Sequence, residues 1–378
     1  MARDVPTQPE ATPNYDALLF VSFGGPEAPG DVVPFLQNVT RGRDIPEARL
    51  REAGRHYFHF DGVSPINAQN RAFLDALRSH FVATKLDLPI YWGNRNWTPY
   101  LADAVEQMRA DGVRHALAFF TSAYSSYSGC RQYRENLADA IAAVGDGAPR
   151  IDRIGAYFNH PGFVDPFIDG TVEAVQKLPD ADRADARLVF TTHSIPTAMA
   201  ESSGSVNAGD TGQPPGAYVA QHRVVAELVS QAVNAAVGAD LPWDLVYQSR
   251  SGAPNVPWLE PDIDTHLRAI ADIGATAAVV VPIGFVSDHM EVMWDLDTQA
   301  RATADEVGLP MVRVATPGPD PRTVAMVADL VRERLEGRAS TDRIRVGALS
   351  ATADCCPGDC CPNPRAPRPV VAECAATR

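Results

Sequence analysis

Short apolar runs of strand length alternate with amphipathic stretches of helical length along most of the chain. The runs that predict strands are residues 17–23, 89–92, 115–120, 151–157, 187–192, 245–248, 277–283 and 311–315. The stretches that predict helices are residues 70–86, 99–110, 161–177, 217–236, 262–273, 290–307 and 322–335. Because such alternation is typical of parallel sheets covered by helices on both faces, the pattern predicts an α/β fold.

The alternation occurs twice, with a division near residues 158–165. It predicts two Rossmann-like lobes, each with a parallel sheet flanked by helices, and a cleft between them. We expect an N-terminal lobe at 1–160, a C-terminal lobe at 161–336 and an extension at 337–378. The extension is rich in Cys, Pro and Arg and shows neither the strand-length apolar runs nor the amphipathic helical stretches of the two lobes.

Composition restricts the class of protein further. With a net charge of −14 and a pI near 5.0, the chain is a poor candidate for binding nucleic acid. The first 15 residues lack the apolar core of a secretory signal, and the longest apolar run, 275–286, is too short to span a bilayer. We therefore expect a cytoplasmic protein with no transmembrane segment. In that compartment its six cysteines are expected to be metal ligands or free thiols rather than disulfides.

A charged cluster follows each of two apolar runs in the second half. His193 comes directly after the strand predicted at 187–192, and an acidic cluster follows the one at 277–283. Ligands of open α/β sheets bind beyond the carboxyl ends of the strands, so both clusters are expected at one cleft. A histidine facing carboxylates can bind a divalent cation and move protons. A histidine satisfied by backbone hydrogen bonds would also fit this position.

Three acidic residues of the second cluster have helical spacing. Asp288, Glu291 and Asp295 are expected on one face of a helix that starts near His289 and is capped by Ser287 or Asp288. Acidic residues in a first turn often only complement the helix dipole. That explanation does not cover Asp295, which lies two turns in among apolar neighbours. This acidic row, Asp288, Glu291 and Asp295, predicts a path for protons or cations.

Other candidate residues lie in loops that follow predicted strands. Trp258, among prolines, is either one wall of an apolar pocket or a packed loop residue. Arg41 and His56 precede Ser64, and such groups can bind carboxylates or simply face solvent. Tyr133 ends an aromatic, hydroxyl-rich stretch that either lines the same cleft or packs within a loop.

The cysteines of the extension predict a metal site. Cys355, Cys356, Cys360 and Cys361 lie within seven residues, and Cys374 follows. Structural zinc usually takes two separated ligand pairs, whereas an iron–sulfur cluster tolerates irregular spacing and a distant ligand. Because Cys130 is the one cysteine outside the extension, we expect an iron–sulfur cluster on Cys130 and three of the four clustered cysteines. The alternative is a disordered tail with incidental thiols.

Five short motifs resemble those of ferrochelatases and occur in the same order. They are VSFGGP at 21–26, GVSP at 62–65, THSIP at 192–196, QS at 248–249 with PWL at 257–259, and GFVSDHME at 284–291. The resemblance covers roughly residues 15–335. It implies two Rossmann-like lobes whose cleft holds a porphyrin and inserts ferrous iron. Several members carry a [2Fe-2S] cluster on a C-terminal cysteine extension.

The resemblance also implies roles for individual residues. His193 and Glu291 correspond to the iron-binding, proton-handling pair, with Asp295 continuing the acidic path. Ser64 and Tyr133 correspond to porphyrin contacts. Arg41 and His56 lie in the loop regions that hold propionates, and Trp258 is expected at the pocket wall.

Two positions depart from the pattern of the family. Phe23, a substrate-binding position, replaces a tyrosine that ligates product iron in some bacterial members, and a phenyl ring cannot ligate. Gln299 replaces a carboxylate at the far end of the acidic row.

The expected reaction is insertion of Fe²⁺ into a porphyrin, most closely coproporphyrin III, in haem biosynthesis. Protoporphyrin IX ferrochelatase, cobalt chelatase and a non-catalytic bilobed tetrapyrrole-binding protein are the alternatives. A nucleotide-dependent redox enzyme is disfavoured because no Gly-x-Gly-x-x-Gly follows the first strand. The expected partners are porphyrin and ferrous iron, with handover contacts to neighbouring enzymes of the haem pathway.

Overall fold

Two four-stranded parallel sheets form the framework of the chain. A computed structural model describes residues 14–42, 45–204, 216–252 and 254–374. The strands are β1 (Ala17–Ser22), β2 (Ile90–Asn94), β3 (His115–Phe120), β4 (Arg150–Arg153), β5 (Arg187–His193), β6 (Trp243–Gln248), β7 (Ala278–Val281) and β8 (Met311–Arg313). Their orders are β2-β1-β3-β4 and β6-β5-β7-β8. Each half therefore has the same topology, and the predicted α/β class with two parallel sheets is confirmed.

All eight predicted strands exist, but β4, β7 and β8 are two or three residues shorter than expected, and β1 is one residue shorter. β7 ends at Val281 because Pro282 has no N–H to donate to a neighbouring strand. β4 ends at Arg153, the last residue paired with β3. Just beyond it the extension packs so closely on Gly155 that a Cβ there would lie 2.5 Å from Oγ1 of Thr352.

Helices cover both sheets and connect the strands. They are α1 (Val32–Val39), α2 (Glu47–Ala53), α3 (Arg55–His59), α4 (Ile66–Ala83), α5 (Leu101–Ala110), α6 (Gln132–Val144), α7 (Pro161–Lys177), α8 (Asp180–Arg183), α9 (Thr197–Glu201), α10 (Ala217–Val237), α11 (Ile263–Asp272), α12 (Met290–Val292), α13 (Arg301–Glu306) and α14 (Pro321–Leu335). The sequence pattern did not predict α1, α2, α3, α6, α8 or α9. The buried residues of α6 include Arg134 and Glu135. The buried face of this helix therefore lacks the apolar pattern by which a helix is predicted from sequence.

The helix predicted at 290–307 is divided into three segments. A π-helix, Met293–Ala300, separates α12 from α13. Its wider turns change which side chains share a face, and π segments often occur at functional sites. The single helical face expected for the acidic row is therefore wrong in detail.

One apolar core joins the two halves. It contains Phe20 and Phe73 from the first half together with Phe190 and Val279 from the second. Helix α14 packs against both α4 and α7, so the last helix of the second half covers the first. This shared core fixes the two sheets relative to each other. The domain boundaries expected from the sequence remain a prediction.

The extension lies against the first half as an irregular segment. The Arg134 guanidinium donates to the carbonyls of Val371 (2.8 Å) and Ala372 (3.2 Å). Arg343 pairs with Asp354 inside the extension. Among the helices that the structure describes, none is long and apolar enough to cross a membrane.

Candidate active site

His193 is the last residue of β5 and lies opposite Gln248, the last residue of β6. The Ser194 N–H donates to the carbonyl of Gln248 at 2.7 Å, which continues the strand pairing past the histidine. The Tyr218 hydroxyl donates to the His193 carbonyl, also at 2.7 Å. The backbone of the histidine is therefore held from two sides at a sheet edge, while its side chain is 33% exposed.

A buried hydrogen-bond network holds the strand residue that precedes His193. The sequence pattern did not predict this network. Thr192 Oγ1 lies 2.9 Å from the Tyr218 hydroxyl and 2.8 Å from Nε2 of His222. Burial lowers the pKa of His222 to about 3, so its ring is neutral. Tyr124 stacks on this ring at 3.5 Å. Tyr218 and His222, spaced i and i+4 near the start of α10, were the signal available in the sequence.

Glu291 meets His193 across the ends of the strands. Its Oε2 lies 3.6 Å from Nε2 of His193 and 4.0 Å from Nδ1 of His289. His289, rather than Ser287 or Asp288, caps the helix, because its Nδ1 accepts from the Glu291 N–H at 3.2 Å. Since the Glu291 side chain is 51% exposed, the pair is accessible from solvent.

Asp295 lies behind this pair, on the π-helix. Its Oδ2 accepts hydrogen bonds from the Ser249 hydroxyl and from the Gln248 amide, the latter at 3.3 Å. Burial, opposed by the Ser249 hydrogen bond and reinforced by the charge of Glu291, raises the pKa of Asp295 to about 6. Asp295 can therefore exchange a proton close to neutral pH.

Asp288 does not belong to this acidic path. Its carboxylate accepts from the Arg313 guanidinium at 3.2 and 3.3 Å and from the Thr316 hydroxyl at 3.0 Å. Its backbone N–H donates to the Gln69 side chain at 2.9 Å. The expectation that Asp288 shares a helical face with Glu291 is wrong, because Asp288 precedes the helix and is neutralised by Arg313.

His56 approaches the same region from α3. Its ring stacks on Trp294 with the ring centres 4.3 Å apart, and His59 meets the same indole edge-on at 5.4 Å. Burial lowers the pKa of His56, opposed by the charge of Glu291. In the sequence, Trp294 stands out only as an apolar neighbour of Asp295. Trp294 belongs to the π-helix and contacts two histidines of α3, so it joins the two halves here.

Phe23 and Arg41 line one cavity, of about 490 Å³, in the first half. The Arg95 guanidinium, which was not predicted, covers the Phe23 ring at 5.5 Å and the Tyr133 ring at 4.4 Å. Tyr133 itself is buried and packs on Phe120 with the ring centres 5.0 Å apart. Arg95, rather than the Tyr133 ring, is the group presented to this cavity.

Ser64 and Trp258 each pack closely against a glycine, which leaves no room for a larger residue at that glycine. Ser64 is buried, and a Cβ on Gly25 would lie 2.7 Å from the Cβ of Ser64. Trp258 pairs with Pro196, so it adjoins the segment that follows His193. Its indole covers Gly252, where a Cβ would lie 2.3 Å from Nε1.

Comparison with known proteins identifies the family of this chain. The ferrochelatase family model matches residues 15–335, most of the chain. The chain belongs to the ferrochelatase family. The expected family and the expected enzyme class, a metal-chelating lyase, are thereby confirmed.

Several curated members of the ferrochelatase family are similar along nearly their whole length. Coproporphyrin III ferrochelatase of Streptomyces griseus is 58% identical over 349 residues, which cover 91% of this chain and 92% of that protein. The enzyme of the same name from Leifsonia xyli is 49% identical, with coverages of 97% and 95%. A ferrochelatase of Rhodopirellula baltica is 47% identical, with coverages of 91% and 93%.

A solved structure supports the fold alone. SirB from Bacillus subtilis with Fe³⁺ superimposes with a TM-score of 0.50 at 12% identity, covering 86% of this chain and 98% of that one. The predicted chelatase-like arrangement of two parallel sheets is confirmed by this likeness.

The cysteines of this ferrochelatase family member divide into two groups. Cys355 forms a disulfide with Cys374, whereas Cys130, Cys356, Cys360 and Cys361 are free. The expectation that all six are metal ligands or free thiols is therefore wrong for one pair. With its sulfur in the disulfide, Cys355 is also removed from the candidate ligands of a cluster.

The four free thiols lie together between the extension and the first half. Cys130 and Cys360 both hydrogen-bond to Cys356, and the sulfurs of Cys360 and Cys361 are 3.8 Å apart. The buried guanidinium of Arg153 donates to the Cys356 sulfur at 2.9 Å. The Cys130 and Cys360 hydrogen bonds, assisted by the charge of Arg153, lower the pKa of Cys356.

This donor set fits a four-thiolate cluster by its chemistry. Thiolates are the ligands of [2Fe-2S] clusters, and a buried cation beside them favours the deprotonated sulfur. Within the ranges that the structure describes, no group of three or more His, Cys, Asp or Glu side chains has the arrangement needed to hold a metal ion. The thiols are thus assembled but not in ligating geometry.

Proposed function

We propose that this chain inserts Fe²⁺ into coproporphyrin III. The observation that carries the proposal is the pairing of His193 with Glu291 at the carboxyl ends of the strands, in a chain 58% identical to a coproporphyrin III ferrochelatase. Both iron and porphyrin are substrates. The protein has to bind them, remove two pyrrole protons and let the metal enter the ring.

His193 is suited to accept a pyrrole proton. Its Nδ1 contacts the carbonyl oxygen of Ser194, which can only accept a hydrogen bond. The Nδ1 atom therefore carries the hydrogen, and Nε2 presents a lone pair. That lone pair lies on the Glu291 side, where an incoming metal or a pyrrole N–H can reach it.

The acidic residues provide a route by which a proton can leave. Protonated His193 would pass its proton to Glu291 at 3.6 Å, and Asp295 lies beyond with a pKa of about 6. A carboxyl group with a pKa close to the working pH exchanges protons readily in both directions. The Ser249 and Gln248 hydrogen bonds hold Asp295 in place.

Metallation also needs a bent macrocycle, because a flat ring hides its nitrogen lone pairs from an incoming ion. Such strain costs about 1–5 kcal/mol, which binding contacts away from the reacting centre can supply. In this proposal Phe23, Ser64, Trp258, His56 and Arg41 provide those contacts. Tyr133 contributes through Arg95, which rests on its ring.

The extension is proposed to hold a [2Fe-2S] cluster on Cys130, Cys356, Cys360 and Cys361. Support comes from the mutual contacts of the four thiols and from Arg153 beside them. Such a cluster would supply one-electron redox chemistry at this site. The thiolates would hold it, and Arg131 and Arg134 would keep the surrounding backbone in place.

A metallation assay tests the proposed function. The purified protein is mixed anaerobically with Fe²⁺ and either coproporphyrin III or protoporphyrin IX, and loss of porphyrin fluorescence is followed. Faster insertion of iron into coproporphyrin III is expected. Turnover with Co²⁺ alone would instead assign a cobalt chelatase, and binding without turnover would assign a non-catalytic tetrapyrrole-binding protein. Handover to a neighbouring enzyme of the haem pathway remains a prediction.

A further inference from the structure

A cavity rich in arginine lies where the extension covers the first half. We propose that the extension completes a carboxylate-binding subsite there through Arg365, beside Arg41 and Arg95, and that the subsite takes a propionate side chain of the porphyrin. The inference rests on the proposed function and deepens it. It assigns to the extension a role in substrate recognition that is separate from its cysteines.

The side chains that line this cavity carry more positive than negative charge, which favours binding of an anion. Its lining includes four arginines and one carboxylate, that of Asp139. Arg368 is already paired, with Asp139 at 2.5 Å and with Glu135 at 3.9 Å. The other three are Arg41, Arg95 and Arg365.

These three guanidiniums have no carboxylate partner among the described residues. Arg41 donates to the Asn38 side chain at 2.8 Å, and Arg95 donates to Asn136 at 2.7 Å. For Arg365 the structure shows only a backbone contact, from its N–H to Asn363. In a chain with a net charge of −14, three uncompensated guanidiniums at one cavity favour a carboxylate ligand, which arginine binds with two parallel hydrogen bonds.

The cavity adjoins the candidate active site through aromatic side chains. Phe23 lines it, and Phe35 packs on Phe23 at 6.2 Å and on Tyr57 at 5.7 Å. Burial, with a contribution from the charge of Glu291, raises the pKa of Tyr57. His56, which precedes Tyr57 in α3, stacks on Trp294, three residues after Glu291, so a ring bound beside Phe23 could direct a propionate into the cavity.

Arg365 is placed by a buried anchor. The Asn363 amide donates to both oxygens of the Glu135 carboxylate, at 3.2 and 3.0 Å, and Glu135 has no exposed surface. Arg131 donates to the carbonyl of Cys360 at 3.2 Å, which fixes the segment just before. The backbone of Arg365 is thus held, while its side chain is exposed at the cavity.

The subsite should favour a porphyrin with more carboxylates. Coproporphyrin III has a propionate on each of its four pyrroles, so one reaches the cavity in any in-plane orientation of the ring. Protoporphyrin IX has vinyl groups on two pyrroles, so some orientations leave the arginines unpaired.

The test compares the full-length variant Arg365→Gln with Arg114→Gln, a matched control. Both changes remove one exposed guanidinium, but Arg114 directly precedes β3 and lies outside the lining of the cavity. Affinity for each porphyrin is measured by fluorescence titration at low salt, without iron. Visible absorption of the protein checks that the cysteine site is unchanged. Arg365→Lys, which keeps the charge but loses the planar fork, serves as a second variant.

Arg365→Gln is expected to weaken coproporphyrin III binding about three- to tenfold, the range between an exposed ion pair and a charge-assisted hydrogen bond. The loss should be smaller for protoporphyrin IX, intermediate for Arg365→Lys and reduced at high salt. Unchanged coproporphyrin III binding, or an equal and salt-insensitive loss for both porphyrins, would overturn the subsite. A wild-type protein that binds porphyrin but inserts no metal would instead refute the proposed function and leave the subsite standing.

Discussion

The Nε2 atom of His193 lies 3.6 Å from the Oε2 atom of Glu291, although the two residues follow different strands. They meet because β5 and β7 are parallel neighbours, so the segments after them leave the same edge of the sheet. His289 assists by capping the short helix that carries Glu291. A base and an acid are thereby held together in a solvent-accessible position, which is what removal of pyrrole protons requires.

Replacing His193 by alanine should abolish iron insertion while leaving porphyrin binding largely intact. The variant loses a general base, whose contribution is typically about 10²- to 10⁴-fold in rate. Stopped-flow metallation and fluorescence titration measure the two properties separately. His80→Ala, at the end of α4, is the control and should behave like the wild type. Normal turnover by the His193 variant would refute its catalytic role.

Asp295→Asn should stabilise the fold above pH 6. The folded-state pKa of Asp295, about 6, is higher than the value near 3.9 expected after unfolding. Between these values the folded state binds more protons, so stability falls as pH rises and the penalty stays constant above pH 6. Allowing for partial solvent screening, removal of the charge should contribute on the order of 1 kcal/mol, or about 1 °C in Tm.

Thermal unfolding of both proteins at pH 8 and pH 4 checks this prediction. The two melting temperatures should converge at pH 4, where the carboxyl group is protonated in the folded state. A lower Tm for the variant at pH 8 would mean that the Ser249 and Gln248 hydrogen bonds outweigh the burial of the charge.

If Asp295 acts as a proton acceptor, the rate of iron insertion should fall as the pH is lowered below about 6. The carboxylate form is required for that role, and protonation removes it as pH falls through the pKa of about 6. The pH profile of kcat/KM measures this limb. In Asp295→Asn the rate should be low and the limb near pH 6 should disappear. An unchanged limb in the variant would assign it to another group.

Gly284→Ala should impair both stability and turnover. The added methyl carbon would lie 2.2 Å from Oγ1 of Thr192, the residue that links His222 and Tyr218 beneath His193. Overpacking of this kind costs about 1–3 kcal/mol. Gly30→Ala is the matched control, because a Cβ at Gly30 meets no atom within 4 Å. Equal melting temperatures and rates for the two variants would contradict the proposed support of His193.

Serine substitutions should distinguish the two groups of cysteines. Cys361→Ser and Cys130→Ser are expected to lose the visible absorption of a [2Fe-2S] centre, whereas Cys355→Ser should keep it. The reason is that Cys355 is joined to Cys374, while the other two belong to the group of free thiols. Absorption and iron content of protein purified without oxygen are the measurements. Loss of the centre in Cys355→Ser alone would overturn this assignment.

The local pattern of the sequence was sufficient for the strands and most of the long helices. Alternation with a period of two or 3.6 depends on neighbouring residues, so it can be read without knowledge of the fold. It failed for α6, where Arg134 and Glu135 are buried because the extension and Arg131 satisfy them. It also failed at Met293–Ala300, because periodicity averaged over the stretch 290–307 does not reveal a change of helical turn within eight residues.

The sequence by itself therefore determined the α/β class, the position of His193 after a strand and the presence of an acidic cluster after another. These depend on short-range periodicity and on the rule that ligands bind at the carboxyl ends of parallel strands. Only the tertiary structure decided that Asp288 is bound to Arg313, that Cys355 pairs with Cys374, and that Arg95 and Arg365 face one cavity. Such choices depend on which distant segments pack together, and a shared core between the two sheets settles that packing.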